Sequence, residues 1–577
     1  MAFYLSPLVD VREIDLTTTI PAVATNIAVA ILRSAYKGPE LKRTLVTTRD
    51  ELTDMFGDPV GSPAECYEDM LSAMGYLKYG NMLYCTRAMP ANATFAGTKP
   101  VSGAQSTFTQ FNTSNAYKMS DFDSDDPDSF ATEASFGTEE MQVIANSRGV
   151  WGNNIRIAMV DYSTYNAMVS AGTYSTWDTY DSIVAVDSPM VDAKDFLIIV
   201  QVLDQGETSY ATKEVWNVST STTRRDDQGQ IIFCENVINE QSNYIRIALK
   251  TANEDDDIVI STSEWQQFSG GQDSDDDYVA DLVTDAIVIE ALDYYENSEE
   301  VDVNIFIDSD KGMAAKRHMI SICESRKDCI ALLDCERADV VNNRGNETTD
   351  LREWRRRTLN ENTSYAALYG NWLEIYDRWA GQYRWIPASG NVAGILANTD
   401  DVADPWWAPA GLNRAILTNV RKLAWNPSLG NRNILYQNGI NPLVSFAGQG
   451  KVIWGQKTLL DKNSAFNRIN VRRLFITLEK AVSTAVKYFL FEPNDEFTRL
   501  SLINMIEPFL RDVKSRRGIY EFSVVCDSRN NTAERIDRNE LWADIYIQPV
   551  RAAEFIVLNF IATKTGASFE EIISGSA

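Results

Sequence analysis

Residues 300–335 read EVDVNIFIDSDKGMAAKRHMISICESRKDCIALLDC. Two short runs rich in β-branched and aliphatic residues, EVDVNIFIDS and CIALLDC, flank KGMAAKRHMISICESR, which has helical length and spacing. Strand, helix and strand in this order make a βαβ unit, and such units build a parallel sheet covered by helices.

Working outward, residues 27–95 repeat the style. NIAVAILRSA is read as a strand, KGPE as a turn and RTLVTT as a strand; two helices follow, and then the strand NMLYCTRA. Asp50 is the expected N-cap of the first helix and Gly57 its stop. The two α/β stretches are expected to share one sheet, which makes the segment between them an insertion.

That insertion, residues 96–284, is rich in Ser, Thr and Asp and carries the short runs QVIANS, NIRIAMVDY, FLIIVQVLD, YIRIALKT and DDIVIS. Their spacing predicts antiparallel β-structure. Two acidic clusters, 121–129 and 271–279, lack the glycine at position six and the glutamate at position twelve of a calcium loop. They are read as solvated acidic loops.

In the C-terminal part, Leu474, Leu478, Val482, Ala485 and Phe489 share one helical face over 471–491, which EPND ends. A second helix from Glu496 shows Leu502, Ile506, Phe509 and Val513 at the same period, with Pro508 as a kink and Gly518 as the stop. Three strands are expected after it: IYEFSVVCD, LWADIYIQPV and EFIVLNFIATKT. The last is apolar on both faces and is expected to be buried in a sheet.

Both ends of the chain pose the same problem. In residues 9–16, VDVREIDL, the apolar residues Val9 and Val11 fall out of phase with Ile14 and Leu16, as in a short strand with a bulge. No local hairpin partner follows. At the other end Phe569, Ile572 and Ile573 are apolar with little chain left to cover them. Each end reads as a strand that needs an edge from elsewhere.

The reading is therefore an α+β multidomain protein. Its parts are an N-terminal arm (1–20), an α/β middle domain (21–95 with 285–440), a β-rich acidic insertion (96–284), C-terminal helices on an antiparallel sheet (441–565) and a C-terminal arm (566–577). The 577 residues, 44% hydrophobic and 10% aromatic, suffice for several cores. No run approaches the ~20 apolar residues of a membrane helix, and MAFYLSPLVDVRE lacks the basic and apolar regions of a leader.

Net charge is −28, unevenly spread: −3 over 1–95, −21 over 96–284, −10 over 285–410 and +6 over 411–577. Such a chain is a poor binder of nucleic acid by electrostatics. Two surfaces with different partners are expected instead. In RDVKSRRG, residues Arg511, Lys514 and Arg517 fall on one helical face beside Arg516. They either complement the helix dipole or dock an acidic partner.

Catalytic chemistry is missing. The seven cysteines never form C-x-x-C, and the single histidine, His318, has no metal or nucleophile partner motif. The stretch GQGKVIWGQKT, 448–458, imitates a phosphate loop. Gln456 separates Gly455 from Lys457 there, and a strand-like KVIW stands where a bare backbone is needed. It reads as turns around a Val452–Trp454 strand, with no role assigned to Lys457 and no cofactor expected.

The ordered series YLSPLVDVREIDLTTTI, YKGPELKRTLVTTRDELTDMFGDP, GVWGNNIRI, WAPAGLNRAIL, ILYQNGINPLVSFAGQGKVIWGQKTL, NRINVRRLF, FEPND and RNNTAERIDRNELWADIYIQPVRAAEFIVLNFIATKTG resembles the tail sheath proteins of contractile-tailed bacteriophages. It is more distantly similar to the sheaths of R-type pyocins and type VI secretion. The chain departs from the family's usual pattern at Leu8 and Arg33, where glycines are common.

The resemblance implies a structural subunit that stacks as hexameric rings around a tail tube. It implies contacts with baseplate and tail terminator proteins, with no direct nucleic acid and no stable membrane insertion. The place implied is the virion's tail sheath, assembled in the host cytoplasm, which shortens to drive the tube through the host envelope. Terminal arms would add strands to neighbouring subunits, and Arg511, Lys514, Arg516 and Arg517 would face the tube. A baseplate or receptor-binding tail component, or a nucleotide-binding enzyme, are the alternatives.

Overall fold

A computed structural model describes residues 24–558 except 34, 60–66, 102–106, 113–114, 123–128, 137–138, 172–189, 258–259, 261–264 and 274–282. The chain forms two compact units, which meet in sequence between Leu490 and Phe491.

The larger unit is organised by a seven-stranded sheet. Its order is Ile440–Asn441, Ala366–Tyr369, Ile330–Asp334, Ile305–Ile307, Ala28–Leu32, Leu83–Arg87 and Thr44–Val46. All neighbours are parallel except the last pair. Ala28 stands opposite Ile305 and Ala30 opposite Ile307, so stretches on either side of the insertion lie side by side. The helix Met313–Arg326 connects two of these strands. Ile330–Asp334 is buried along its whole length, because helices cover both faces of a parallel sheet and leave no side for polar residues. Ala28, Ala30 and Leu32 enter one core, and Val29 and Ile31 the other.

The first core needs a close helix crossing. A Cβ on Gly390, in the helix Ser389–Val402, would lie 2.1 Å from the carbonyl oxygen of Ser72 in Tyr67–Tyr76. Only glycine lets those two backbones approach so nearly.

The first helix runs Arg49–Phe56 and is capped two residues earlier than expected. Thr48 is extended and accepts from the Glu51 N–H at 3.2 Å, while the Glu51 carboxylate accepts from the Thr47 N–H at 2.8 Å. Asp50 already lies inside the first turn and so cannot cap it. Gly57 ends the helix, with φ 83°.

The insertion contains two four-stranded antiparallel sheets. Alternate residues such as Val143, Ile157, Ile198 and Ile247 fill a common core. Two helices, Tyr162–Ala171 and Cys234–Gln241, stand where no helix was expected. The described residues of DDIVIS form no strand, and the acidic clusters lie largely outside the described residues. Glu40, Arg87 and Arg148 join the insertion to the seven-stranded body. Arg148 donates to Glu40 at 2.7 Å, and Arg87 donates to the carbonyls of Arg148 (3.1 Å) and Ala35 (3.0 Å). Buried charges persist when nearly every donor is satisfied in this way.

Ile469–Val486 buries Leu474, Leu478 and Ala485 as expected, but it belongs to the larger unit, where Ile469 and Ile476 enter the first core.

The smaller unit, described over 491–558, has one long helix, Glu496–Ser515, capped by Asp495. The Thr498 N–H donates to Asp495 at 2.7 Å and pulls that exposed carboxyl below its usual range. The helix continues through Pro508 and buries Leu502, Met505, Ile506, Leu510 and Val513, whereas Phe509 is only half-buried. Its end corrects a second expectation, because Arg517 rather than Gly518 adopts the left-handed φ of 63°. Gly518 follows and donates to the Val513 carbonyl at 2.9 Å.

Ile519–Val525 and Asp544–Pro549 form a two-stranded antiparallel sheet. Asn530 and Asn531 hold the connecting loop. The Trp542 N–H donates to Asn531 Oδ1 at 2.7 Å, and Asn531 returns a bond to the Trp542 carbonyl at 2.8 Å.

The run EFIVLNFIATKT overturns its expectation where it is described. Residues 554–558 form no strand, and Phe555, Ile556, Val557 and Leu558 are 84%, 78%, 81% and 72% exposed. Apolar character on both faces demands cover on both faces. A hairpin and a helix do not supply it.

Candidate functional site

An open α/β sheet binds ligands outside the carboxyl ends of its strands, where the strand order reverses. Here that point lies between Ala28–Leu32 and Ile305–Ile307, and the protein's own charges fill it. Asp308 accepts from Lys316 Nζ at 2.5 Å and from the N–H groups of Lys311 and Asp334 at 3.0 and 2.8 Å. Asp69 accepts from Arg33 Nε at 2.9 Å and Lys311 Nζ at 2.6 Å.

Both nearby helix N-termini, the usual phosphate seats, are likewise taken. Asp334 Oδ1 accepts from the N–H groups of Ala388 and Ser389 at 2.9 and 2.8 Å, and Asp285 accepts from that of Ala314 at 2.9 Å. Burial, followed by repulsion from Asp308, pushes the Asp334 carboxyl up to about 7.

The phosphate-loop imitation resolves into a hairpin. Leu443–Phe446 and Gly450–Ile453 pair across a turn in which Gly448 and Gly450 have φ of 74° and 89°. Trp454 packs edge-on against Phe446 at 4.7 Å. Lys457 has a structural role: its Nζ donates to the Tyr436 carbonyl at 2.7 Å, and its N–H donates to Asn441 at 2.7 Å. The Nζ bond ties the lysine to the Tyr436 carbonyl, so the enzyme alternative loses its phosphate ligand. His318 bonds Asp293 at 2.5 Å on the flank of its helix. Among the described residues no cluster of His, Cys, Asp and Glu could hold a metal ion, and the six described cysteines are free and buried.

The described residues of the smaller unit offer exposed apolar surface. Its two-stranded sheet is below the three strands that normally stand alone. Tyr520 and Tyr546 are exposed on it, and the Phe555–Leu558 run follows it. Phe491, Phe497 and Leu500 add exposed apolar area around the helix start. The sequence reading missed Phe497 and Leu500 because they lie off the Leu502–Ile506–Val513 face, and Phe491 because it precedes the helix.

The four basic residues are exposed at the other end of that helix. Arg511 pairs with Glu507 at 3.6 Å, Arg516 with Asp512 at 3.4 Å and Lys514 with Glu521 at 3.1 Å. Exposed pairs of this kind are worth about 0–1 kcal/mol each and exchange partners easily. The candidate arm residues Val9, Val11, Ile14, Leu16, Phe569, Ile572 and Ile573 lie outside the described residues.

An assembly protein without a catalytic centre is the class these surfaces fit, and comparison with known proteins gives it a family. Residues 283–459 match the phage tail sheath protein central domain, and residues 461–563 the phage tail sheath C-terminal domain. The chain belongs to the phage tail sheath family. It is 37% identical over 401 residues to the tail sheath protein of Vibrio phage KVP40, a match spanning 66% of this chain and 57% of that protein. It is 29% identical to the tail sheath protein of Enterobacteria phage T4, across 98% of this chain and 99% of the relative. The chain thus spans little more than half of the first relative and nearly all of the second. A sheath tail protein from Listeria innocua shares the fold with a TM-score of 0.52, at 12% identity over 92% of this chain and 96% of the other. Tail sheath proteins are structural components of the virion, not enzymes. No described helix is long and apolar enough to cross a membrane.

Proposed function

We propose that this chain is the structural subunit of a contractile tail sheath, assembled in the host cytoplasm as stacked hexameric rings around a tail tube. The extended array shortens on a signal from the baseplate and drives the tube through the host envelope. The observation that carries this reading is the Phe555–Leu558 run, exposed beside a two-stranded sheet that is too small to stand alone. Strands donated between copies would cover the run and complete the sheet with backbone hydrogen bonds that survive rotation of the subunit bodies.

In this reading residues 1–20 and 566–577 are linking arms, and 441–565 is the tube-side part. Residues 21–95 with 285–440 form the middle domain, and 96–284 the acidic outer one. Val9, Val11, Ile14, Leu16, Phe569, Ile572 and Ile573 form the exchanged strands. Arg511, Lys514, Arg516 and Arg517 meet the tube, and baseplate and tail terminator proteins close the two ends of the array. Electron microscopy of the purified protein tests the reading directly. Striated tubes of uniform diameter are expected; a protein that stays monomeric or forms single rings at every concentration and salt would favour a baseplate component.

A further inference from the structure

The strands Trp372–Asp377, Gln382–Pro387 and Val420–Leu423 form a three-stranded antiparallel sheet. Leu373, Ile386, Val420 and Leu423 point into the first core. The opposite face has an unusual composition for one that meets water. Tyr376 and Tyr383, directly opposed in register, are 56% and 51% exposed, with their rings edge-on at 5.3 Å. The Arg421 guanidinium lies over Tyr383 at 4.2 Å and the Lys422 ammonium over Trp385 at 5.0 Å. Both cations share one carboxylate, Glu374, at 3.1 and 3.3 Å.

Two cations therefore share one carboxylate beside two exposed tyrosine rings, in a chain whose net charge is −28. A solvated sheet face is ordinarily polar. Tyrosine, tryptophan and arginine concentrated in one patch are the composition of an interface's energetic centre.

We infer that this face docks the acidic inserted domain of a second copy of the chain. Residues 96–284 carry −21, and their described part includes four consecutive carboxylates, Glu254 to Asp257, of which the last three are exposed. Approach of such a surface lets Arg421 and Lys422 exchange Glu374 for carboxylates of the neighbour while the two tyrosine rings are covered. Tyrosine orders at small entropic cost because it has two side-chain torsions. The inference rests on the sheath reading, since it needs copies held close together.

The test uses full-length protein and the concentration at which tubes first form. Glu374→Gln releases both cations from their internal partner and is expected to lower that concentration about threefold. Arg421→Glu with Lys422→Glu sets like charges against the insertion and is expected to raise it about tenfold. Opposite signs separate docking from damage to the fold, which would shift both variants the same way. In parallel, a photo-reactive benzoylphenylalanine at position 383 is placed in tubes assembled from equal parts of heavy-isotope and natural subunits. Cross-links joining the two isotopes and ending within residues 96–284 are expected. Cross-links ending elsewhere, or shifts of the same sign in both charge variants, overturn the docking while leaving the sheath reading intact. If unaltered protein forms no tubes, the sheath reading fails and the docking fails with it.

Discussion

Ile330–Leu333 and Phe555–Leu558 are both runs of apolar residues, and they end in opposite surroundings. The first lies between parallel neighbours and is wholly buried. The second is mostly exposed, next to a hairpin that leaves it unpaired. Apolar pattern states that a segment needs cover, but the chain that supplies the cover is a separate matter. In the larger unit one chain folds enough helix and strand around the run. The smaller unit leaves its run exposed, and in the proposed sheath other copies would supply the cover.

The most severe way to break this contrast is to make the second run polar. Phe555→Asp with Val557→Asp is expected to abolish tube formation altogether while the monomer keeps its circular dichroism and melting temperature. Tubes of normal length in negative stain would remove the basis of the contrast. Within the larger unit, Leu332→Ala empties a fully buried site and is expected to cost about 2–5 kcal/mol in denaturant unfolding.

Asn531→Ala leaves the Trp542 backbone groups without their side-chain partner. It is expected to destabilise the smaller unit by about 1–3 kcal/mol, read from amide exchange over 526–543. Asp334 provides a pH test of the larger unit. Its carboxyl sits near 7 when folded against an ordinary 3.8, so the folded state retains a proton between these values. That contribution is complete below the ordinary value and is lost as pH rises through 7. Between pH 7.5 and 5.5 the unit should gain about 1–2 kcal/mol, and Asp334→Asn, which can still accept the Ala388 and Ser389 bonds, should flatten the gain. The smallest effect is expected for Val557→Ala, about 0.5 kcal/mol or less in the monomer, against a measurable rise in the concentration needed for tubes. A large loss already in the monomer would mean that the run is covered within its own chain.

How much of this was legible in sequence depends on the range of the interactions. The βαβ unit at 300–335 and the face of Leu502, Ile506 and Val513 follow from local periodicity, and FEPND ends in the Asp495 cap that opens the next helix. Even local chemistry misled where two nearby residues competed for one cap. Thr48 rather than Asp50 caps Arg49–Phe56, and Arg517 rather than Gly518 takes the left-handed position, because a cap is chosen by the backbone angle at one residue. The helix Cys234–Gln241 escaped notice because its apolar residues are few.

The assembly surfaces were legible only in part. The basic group at 511–517 and the hungry apolar run were visible in composition; that three of the four bases already hold carboxylates was not. Order along the chain determined the alternation of strand and helix, the acidic insertion, the absence of catalytic motifs and the resemblance to tail sheaths. Tertiary structure alone decided that the crevice at the carboxyl ends of the strands is closed by Asp308, Asp69 and Asp334. It also decided that Glu40, Arg87 and Arg148 fasten the insertion to the body, and that Phe555–Leu558 is uncovered within its own unit. The physical reason is distance along the chain. Periodicity and caps act over a few residues, whereas pairing of a strand or satisfaction of a buried charge depends on groups hundreds of residues away, or on another molecule.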